Sequence, residues 1–169
     1  MVCGAQKVIF LYDDVMKDSM YRFKYGKRRE YAGYYADEIV RVFGKELSRW
    51  SVDALIPIPI YKNKLKKRGY NQAEILANAI GKVLKIPVKS DVLLRLENTE
   101  AQKELGILER QNNLKKAFKI RGDVVELKNV VLIDDIYTTG STIDAAAACL
   151  KAVGVKKVYF IALGAGGVK

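Results

Sequence analysis

NVVLIDDIYTTGST, residues 129–142, is the stretch that decides the fold. Its first half is a continuous apolar run, which is typical of a parallel strand that is buried on both faces of a sheet. The strand ends in two carboxylates, and a hydroxyl-rich turn leads from it into an alanine-rich helix. The stretch therefore predicts a strand–turn–helix unit, with polar groups at the carboxyl end of the strand, where open α/β sheets bind their ligands.

The turn after this strand has the composition of a phosphate site. If Ser141 or Thr142 caps the helix, the N–H groups at the helix start lie at the positive end of the helix dipole and can bind an anion. Gly140 allows the chain to turn sharply and brings the backbone close to a ligand. The predicted phosphate-binding residues are Thr138, Thr139, Gly140, Ser141 and Thr142.

Asp134 and Asp135 need a partner other than the phosphate, because their charges would repel it. Adjacent carboxylates can accept hydrogen bonds from vicinal sugar hydroxyls or help to hold a hydrated Mg²⁺. A phosphate together with a diol indicates ribose 5-phosphate. The alternative is an ordinary strand end with an ordinary turn and cap, but the ordered combination of strand, acids, turn and helix favours the ligand site.

The rest of the chain alternates between predicted strands and helices. Asp13 or Asp14 begins one helix, and Asn71 with Glu74 resembles a capping box at the start of another. The buried face of this second helix is predicted to carry Leu76, Ile80, Val83 and Leu84. A hairpin is expected around residues 121–123. Further strands are predicted at residues 54–58, 92–96 and 157–163, and residues 8–12 are either a short edge strand or a linker. This alternation predicts a mostly parallel, twisted sheet with helices on both faces, in one domain over residues 1–169 whose first 50 residues are helical.

Residues 131–142 resemble the phosphoribosyl pyrophosphate (PRPP) binding motif of type I phosphoribosyltransferases. Other segments narrow the resemblance to the ComF-like competence proteins, whose phosphoribosyltransferase domain is akin to that of glutamine amidophosphoribosyltransferase. These segments are RFKYG (22–26), LIPIP (55–59), KRGYNQAE (67–74), and the pattern that runs from Thr99 and Gln102 through Arg110 and Asn113 to Ala117 and Phe118. The resemblance covers nearly the whole chain and implies the α/β fold of type I phosphoribosyltransferases.

The resemblance also implies roles for individual residues. Pro57, Ile58 and Pro59 take the position of the pyrophosphate loop, with Arg68 as the preferred cation beside them. Residues 97–116 correspond to the flexible loop that closes over PRPP, although an exposed helical hairpin is the alternative. From that loop, Gln102 is expected to bind the pyrophosphate. The predicted catalytic residues are Asp134, Asp135, Arg68, Lys103 and Arg110, and the two aspartates are also expected to hold Mg²⁺ indirectly, through water or substrate.

Relatives in this family commonly carry an N-terminal zinc module. The chain has two cysteines, Cys3 and Cys149, and no histidine. A structural zinc site needs four soft ligands, so we expect no zinc within this chain. Cys149 is expected to pack on its helix. Two distant cysteines, without an export signal or a membrane-spanning apolar run, predict a cytoplasmic protein with no membrane insertion.

The net charge of +11 is larger than one small anionic ligand requires. Nucleic acid is therefore a second candidate partner. One basic group, within residues 22–29, is interleaved with or flanked by tyrosines on which bases could stack, and a second group lies within residues 62–68. The alternative is a solvated basic face whose aromatic rings lie in the core.

Two functions, which do not exclude each other, follow. The first is an Mg²⁺-dependent phosphoribosyltransferase that moves ribose 5-phosphate from PRPP to an unidentified nitrogen acceptor and releases pyrophosphate. It needs no protein nucleophile. The second is a non-catalytic module that senses PRPP or a nucleotide and holds single-stranded DNA during competence-type DNA uptake, with a protein of the competence machinery as its partner.

Overall fold

The computed structural model describes residues 6–11, 13–96 and 117–166. Within these ranges the order of elements is β1 (Gln6–Leu11), α1 (Asp14–Tyr25), α2 (Tyr31–Arg49), β2 (Ala54–Pro57), α3 (Lys62–Arg68), α4 (Gln72–Leu84), β3 (Leu93–Arg95), β4 (Phe118–Ile120), β5 (Asn129–Tyr137), α5 (Ser141–Ala152) and β6 (Lys157–Ala165).

Four parallel strands form the main sheet in the order β1-β6-β5-β2. Strand β5 lies between β2 and β6, with Leu132 opposite Ile56 on one side and Phe160 on the other. Strands β3 and β4 form a separate antiparallel pair. The predicted parallel α/β architecture is therefore confirmed, and the inner position of β5 explains its continuous apolar sequence.

Each face of the main sheet has its own core. Along β5, Val130 and Leu132 pack with α5 and the β3–β4 pair, whereas Val131 and Ile133 pack with α1, α2 and α4. This alternation follows from the two-residue period of a strand. It confirms the prediction of helices on both faces, and it puts the two N-terminal helices against the same face as α4.

The predicted helix starts are confirmed by their caps. The side chain of Asp13 accepts a hydrogen bond from the N–H of Met16 at 2.8 Å, and that of Asn71 accepts one from the N–H of Ala73 at 3.1 Å. Each cap satisfies one of the backbone donors that a helix start leaves unpaired. No helix in the described ranges is both long enough and apolar enough to cross a membrane.

Two sequence expectations are wrong. The hairpin around residues 121–123 does not form, because β4 pairs with β3 while β5 pairs with β2 and β6. Val124 and Leu127 are buried in the core, so the connection packs there and does not turn back as a hairpin at residues 121–123. Val83, expected on the buried face of α4, is 50% exposed because the contact face of that helix is centred on Leu76 and Ile80.

Helix α4 passes so close to the chain after it that Gly81 leaves no room for a side chain. A Cβ there would lie 2.7 Å from the carbonyl oxygen of Ile86 and 2.8 Å from Cγ2 of Val88. Gly81→Ala is therefore expected to reduce the free energy of unfolding by about 1–3 kcal/mol, measured by urea denaturation.

The matched control is Gly33→Ala in α2, where an added Cβ meets no atom of the described chain within 4 Å. This change should be neutral or stabilising by up to about 1 kcal/mol, because alanine favours helix. Equal effects of the two substitutions would contradict the close approach of α4.

Candidate active site

Asp135 lies at the carboxyl end of β5, with 9% of its side chain exposed. Its Oδ2 is 2.5 Å from Nζ of Lys24 and accepts a hydrogen bond from Nε2 of Gln72 at 3.1 Å. Its Oδ1 accepts the N–H of Ile136 at 2.9 Å. Burial by itself would raise the pKa of Asp135, but the charge of Lys24 and hydrogen bonds with the side chains of Asp134, Lys24 and Gln72 bring the pKa below its ordinary value. The carboxylate is therefore ionised at neutral pH.

Asp134 has a different electrostatic environment. Its Oδ1 accepts the N–H of Asp135 at 2.8 Å. Burial, and then the negative charge of Asp135, raise the pKa of Asp134 well above its ordinary value. A carboxyl in this state gains stability from a ligand that brings hydrogen-bond donors or a cation. The two aspartates therefore differ in their charge balance. The charge of Asp135 is balanced by Lys24 of the protein, whereas the charge of Asp134 would be stabilised by a bound ligand.

Cationic side chains from three elements lie near the acid pair. They are Lys24 of α1, Lys64 and Arg68 of α3, and Arg95 of β3. Burial, followed by the charges of Arg68, Arg95 and Lys24, lowers the pKa of Lys64. Burial likewise lowers the pKa of Arg95, while the charge of Asp134 opposes that shift. Four cations around two carboxyl groups leave an excess of positive charge, which an anionic ligand would balance.

Arg68 is connected to the acid pair through Gln72. Its Nη1 donates to Oε1 of Gln72 at 3.1 Å, and the amide of Gln72 donates in turn to Asp135. Its Nη2 donates to the hydroxyl of Tyr25 at 2.9 Å, and the guanidinium lies 4.8 Å from the centre of that ring. Arg68 was predicted from the sequence, and these contacts fix its direction relative to Asp135.

The turn after β5 leaves the start of α5 open. Gly140 is the N-cap with φ of +77°, and Ser141 is already the first helical residue. The expected cap by Ser141 or Thr142 is therefore wrong, because only glycine adopts this backbone conformation without strain. In the described part of the chain no side chain caps α5, and Oγ1 of Thr139 lies 3.0 Å from Oγ of Ser141. The first N–H groups of α5 can thus face an anion.

The segment after β2 is held firmly by the core. Ile58 is buried, its N–H donates to the carbonyl of Ile133 at 2.8 Å, and its own carbonyl accepts Nδ2 of Asn71 at 3.0 Å. Pro57 and Pro59 have no N–H to offer. Backbone donors for a pyrophosphate would therefore come from Ile60 and Tyr61, and the roles of Pro57, Ile58 and Pro59 as a pyrophosphate loop stay a prediction.

Three predicted residues, Gln102, Lys103 and Arg110, lie outside the described residues, as does Cys3. Cys149 is partly buried, and its thiol donates to the carbonyl of Phe118 at 3.5 Å, in keeping with a packing role.

Four contributors to the site were not among the predicted site residues, namely Lys24, Gln72, Lys64 and Arg95. The RFKYG and KRGYNQAE segments contain the first two and were the signals that could have found them. Arg95 stands alone in a short strand and had no such signal.

The two aspartates fit Mg²⁺ only if the ion keeps its water ligands or arrives bound to a phosphorylated ligand. Mg²⁺ prefers oxygen ligands in octahedral geometry and usually keeps several waters. Both oxygens of Asp135 already have protein partners, so this carboxylate would contact the ion through water or through a bound ligand. No cluster of three or more histidine, cysteine, aspartate or glutamate side chains suited to a metal occurs among the described residues. Such an ion would be held by Asp134 and Asp135 through water or through a diphosphate.

Comparison with known proteins agrees with this fold. Residues 65–169 match the family model described as the phosphoribosyl transferase domain. The chain belongs to this family, and the match includes β5, the acid pair and α5.

The chain is also similar to proteins named for competence and for DNA utilization. Competence protein F of Haemophilus influenzae is 35% identical over 108 residues, which are 63% of this chain and 47% of that protein. Competence protein ComFC of Bacillus subtilis is 31% identical over 158 residues, 89% of this chain and 59% of that protein. The DNA utilization protein YhgH of Escherichia coli O157:H7 is 31% identical over 106 residues, 63% and 46% of the two chains. The resemblance to ComF-like proteins is confirmed, and the chain spans about half the length of these relatives.

Proposed function

We propose that this chain binds PRPP at the carboxyl end of β5 and transfers its ribose 5-phosphate to a nitrogen acceptor, with release of pyrophosphate. One observation carries the proposal: two acids at the end of β5 are followed by a turn and an uncapped helix start, and four cationic side chains lie near the acids. The phosphoribosyl transferase family match supports the same ligand.

Each part of PRPP has a complementary group in this arrangement. The 5-phosphate would accept hydrogen bonds from the N–H groups at the start of α5 and from the hydroxyls of residues 138–142. The vicinal ribose hydroxyls would donate to Asp134 and Asp135. The diphosphate would lie toward Lys64, Arg68 and Arg95. Mg²⁺, when bound, supplies further neutralisation of the diphosphate charge.

The chain assists the reaction by positioning and by electrostatics. The C1–O bond to pyrophosphate breaks as the lone pair of the acceptor nitrogen forms the new C1–N bond, through an oxocarbenium-like centre. Cationic side chains stabilise the charge that develops on the departing diphosphate, and the helix start holds the sugar still. The roles of Gln102, Lys103 and Arg110 at the pyrophosphate stay predictions.

The test is a calorimetric titration of PRPP with and without Mg²⁺, comparing the wild type with the double variant Asp134→Asn/Asp135→Asn. Magnesium-dependent binding by the wild type should weaken by about 100-fold or more in the double variant, because each carboxylate accepts charge-assisted hydrogen bonds. Asp37→Asn, on the exposed face of α2, is the control and should bind as the wild type does. A folded wild type that does not bind PRPP would overturn the assignment. Release of pyrophosphate with a panel of nitrogen acceptors then tests turnover.

We also propose that the surface of α1 binds single-stranded DNA. Tyr21 and Tyr25 are 66% and 46% exposed, and their ring centres lie 5.2 Å apart, next to the exposed Arg22. Of the other aromatic residues in this region, Phe23 and Tyr35 are buried, so only part of the predicted tyrosine set can stack on bases. Relatives named for competence and for DNA utilization favour such a partner.

The DNA proposal is tested by fluorescence anisotropy of a labelled oligonucleotide at several salt concentrations. Tyr21→Ala and Arg22→Ala should each weaken binding, whereas Arg49→Ala, at the far end of α2, should not. Asp134→Asn/Asp135→Asn should leave DNA affinity unchanged. Equal effects of Arg22→Ala and Arg49→Ala would indicate a general charge effect and contradict a defined surface. A cytoplasmic location and a partner from the competence machinery stay predictions.

A further inference from the structure

Lys24 occupies the position beside Asp135 that a divalent cation would need for direct coordination. Its Nζ is 2.5 Å from Oδ2, and only 17% of its side chain and 9% of that of Asp135 are exposed. An ammonium group and a metal ion compete for the same oxygen lone pairs. Asp135 also accepts hydrogen bonds from Gln72, on the same oxygen, and from the N–H of Ile136, on the other oxygen.

Helix α1 holds Lys24 in this position. On one side, Phe23 is buried in the core, and its carbonyl accepts a hydrogen bond from the hydroxyl of Tyr70. On the other side, the hydroxyl of Tyr25 accepts a hydrogen bond from Arg68. Because Phe23 and Tyr25 are both held in place, the end of α1 directs the side chain of Lys24 toward Asp135. The family match begins at residue 65, so this contribution comes from outside the matched segment.

We propose that Lys24 is a positioning residue that acts as the resident counter-ion of Asp135. It keeps this carboxylate oriented toward the ligand without a metal, and it prevents direct coordination of a divalent cation in the ligand-free protein. Metal then enters the site with a diphosphate. The inference deepens the proposed function and rests on it for the identity of the diphosphate, whereas the exclusion of metal is independent of PRPP.

The experiment is a titration of Mn²⁺, followed by electron paramagnetic resonance, in the absence of PRPP. Lys24→Met is expected to bind Mn²⁺ about tenfold or more tightly than the wild type, because the competing charge is gone. Lys24→Arg keeps the charge and should exclude Mn²⁺ as the wild type does. The gain should vanish in Lys24→Met/Asp135→Asn. Wild-type binding as tight as that of Lys24→Met, or a gain that survives loss of Asp135, would overturn the proposal.

A second comparison does not depend on the folding of Lys24→Met. The wild type and Asp135→Asn should bind Mn²⁺ equally weakly, because Asp135 offers no direct ligand while Lys24 is present. Wild-type binding that is lost in Asp135→Asn would contradict the proposal. Since PRPP is absent from both experiments, failure of the PRPP titration with Mn²⁺ exclusion intact would remove only the proposed function.

Discussion

Replacing Lys24 by methionine is expected to lower the free energy of unfolding by about 3 kcal/mol at neutral pH. Methionine keeps much of the apolar stem but removes the ammonium group from a carboxylate that is 9% exposed. An ionised carboxylate left there without its main counter-ion is costly, since burial opposes its charge. Urea denaturation measures the loss directly.

Two further variants show whether the loss comes from the ion pair. Lys24→Met/Asp135→Asn removes both charges and should recover most of the lost stability, which a double-mutant cycle quantifies. Lys17→Met removes a lysine of the same helix whose ion-pair partner, Asp14, is almost fully exposed, and it should change stability little. If the two lysine substitutions were equally harmful, helix α1 rather than the contact with Asp135 would be responsible.

The effect of Lys24→Met should also depend on pH in a defined direction. The pKa of Asp135 is lowered in the folded protein, so its ion pair contributes stability above the pKa of the unfolded chain. That contribution is lost as the pH falls through the folded pKa. The difference between wild type and Lys24→Met should therefore be full at neutral pH and shrink in acid. A difference independent of pH would contradict the ionic origin.

Asp134→Asn should have opposite effects on stability and on ligand binding. The pKa of Asp134 is raised in the folded protein, so its contribution to stability is full below the unfolded pKa and is lost as the pH rises through the folded value. Asparagine keeps an oxygen that can accept the N–H of Asp135 and carries no charge. We expect a gain on the order of 1 kcal/mol at neutral pH, or about 2–4 °C in Tm by calorimetry, and a PRPP affinity weaker by about 10- to 100-fold.

The matched control for Asp134→Asn lies near the other end of the same strand. Oδ2 of Asp53 accepts the N–H groups of Lys128 and Asn129 at 2.8 and 2.7 Å, away from the site. Asp53→Asn should destabilise the protein, because a neutral amide oxygen is a weaker acceptor, and should leave PRPP affinity unchanged. If Asp134→Asn instead lost stability and kept its affinity, Asp134 would have a structural role only.

The sequence predicted those features that depend on local chemistry or on burial from both sides. An inner parallel strand needs apolar residues on both faces, and the continuous apolar sequence of β5 predicts such a strand. Asp13 and Asn71 have side chains suited to a helix start, and both were identified. The cap of α5 was misjudged because hydroxyl residues have a high capping preference, whereas the positive φ of the turn puts Gly140 at the cap.

Contacts between distant segments were beyond sequence reasoning. Lys24 stands in a basic run, where a solvated side chain is the usual outcome, and only the packing of α1 on the sheet brings it to Asp135. The turn residues at 121–123 favour a hairpin locally, yet the burial of Val124 and Leu127 decides the path of the chain. Likewise, the pattern of tyrosines could not separate the buried Tyr35 from the exposed Tyr21.

The central claim, that the acid pair and the start of α5 bind a phosphorylated ribose, is tested most directly by the ¹H–¹⁵N correlation spectrum of the labelled protein during titration with PRPP and Mg²⁺. The largest shifts are predicted at the backbone amides of residues 139–142 and of Asp135. Unchanged amides in these residues of a folded protein, or shifts confined to the exposed surface of α1, would contradict the claim.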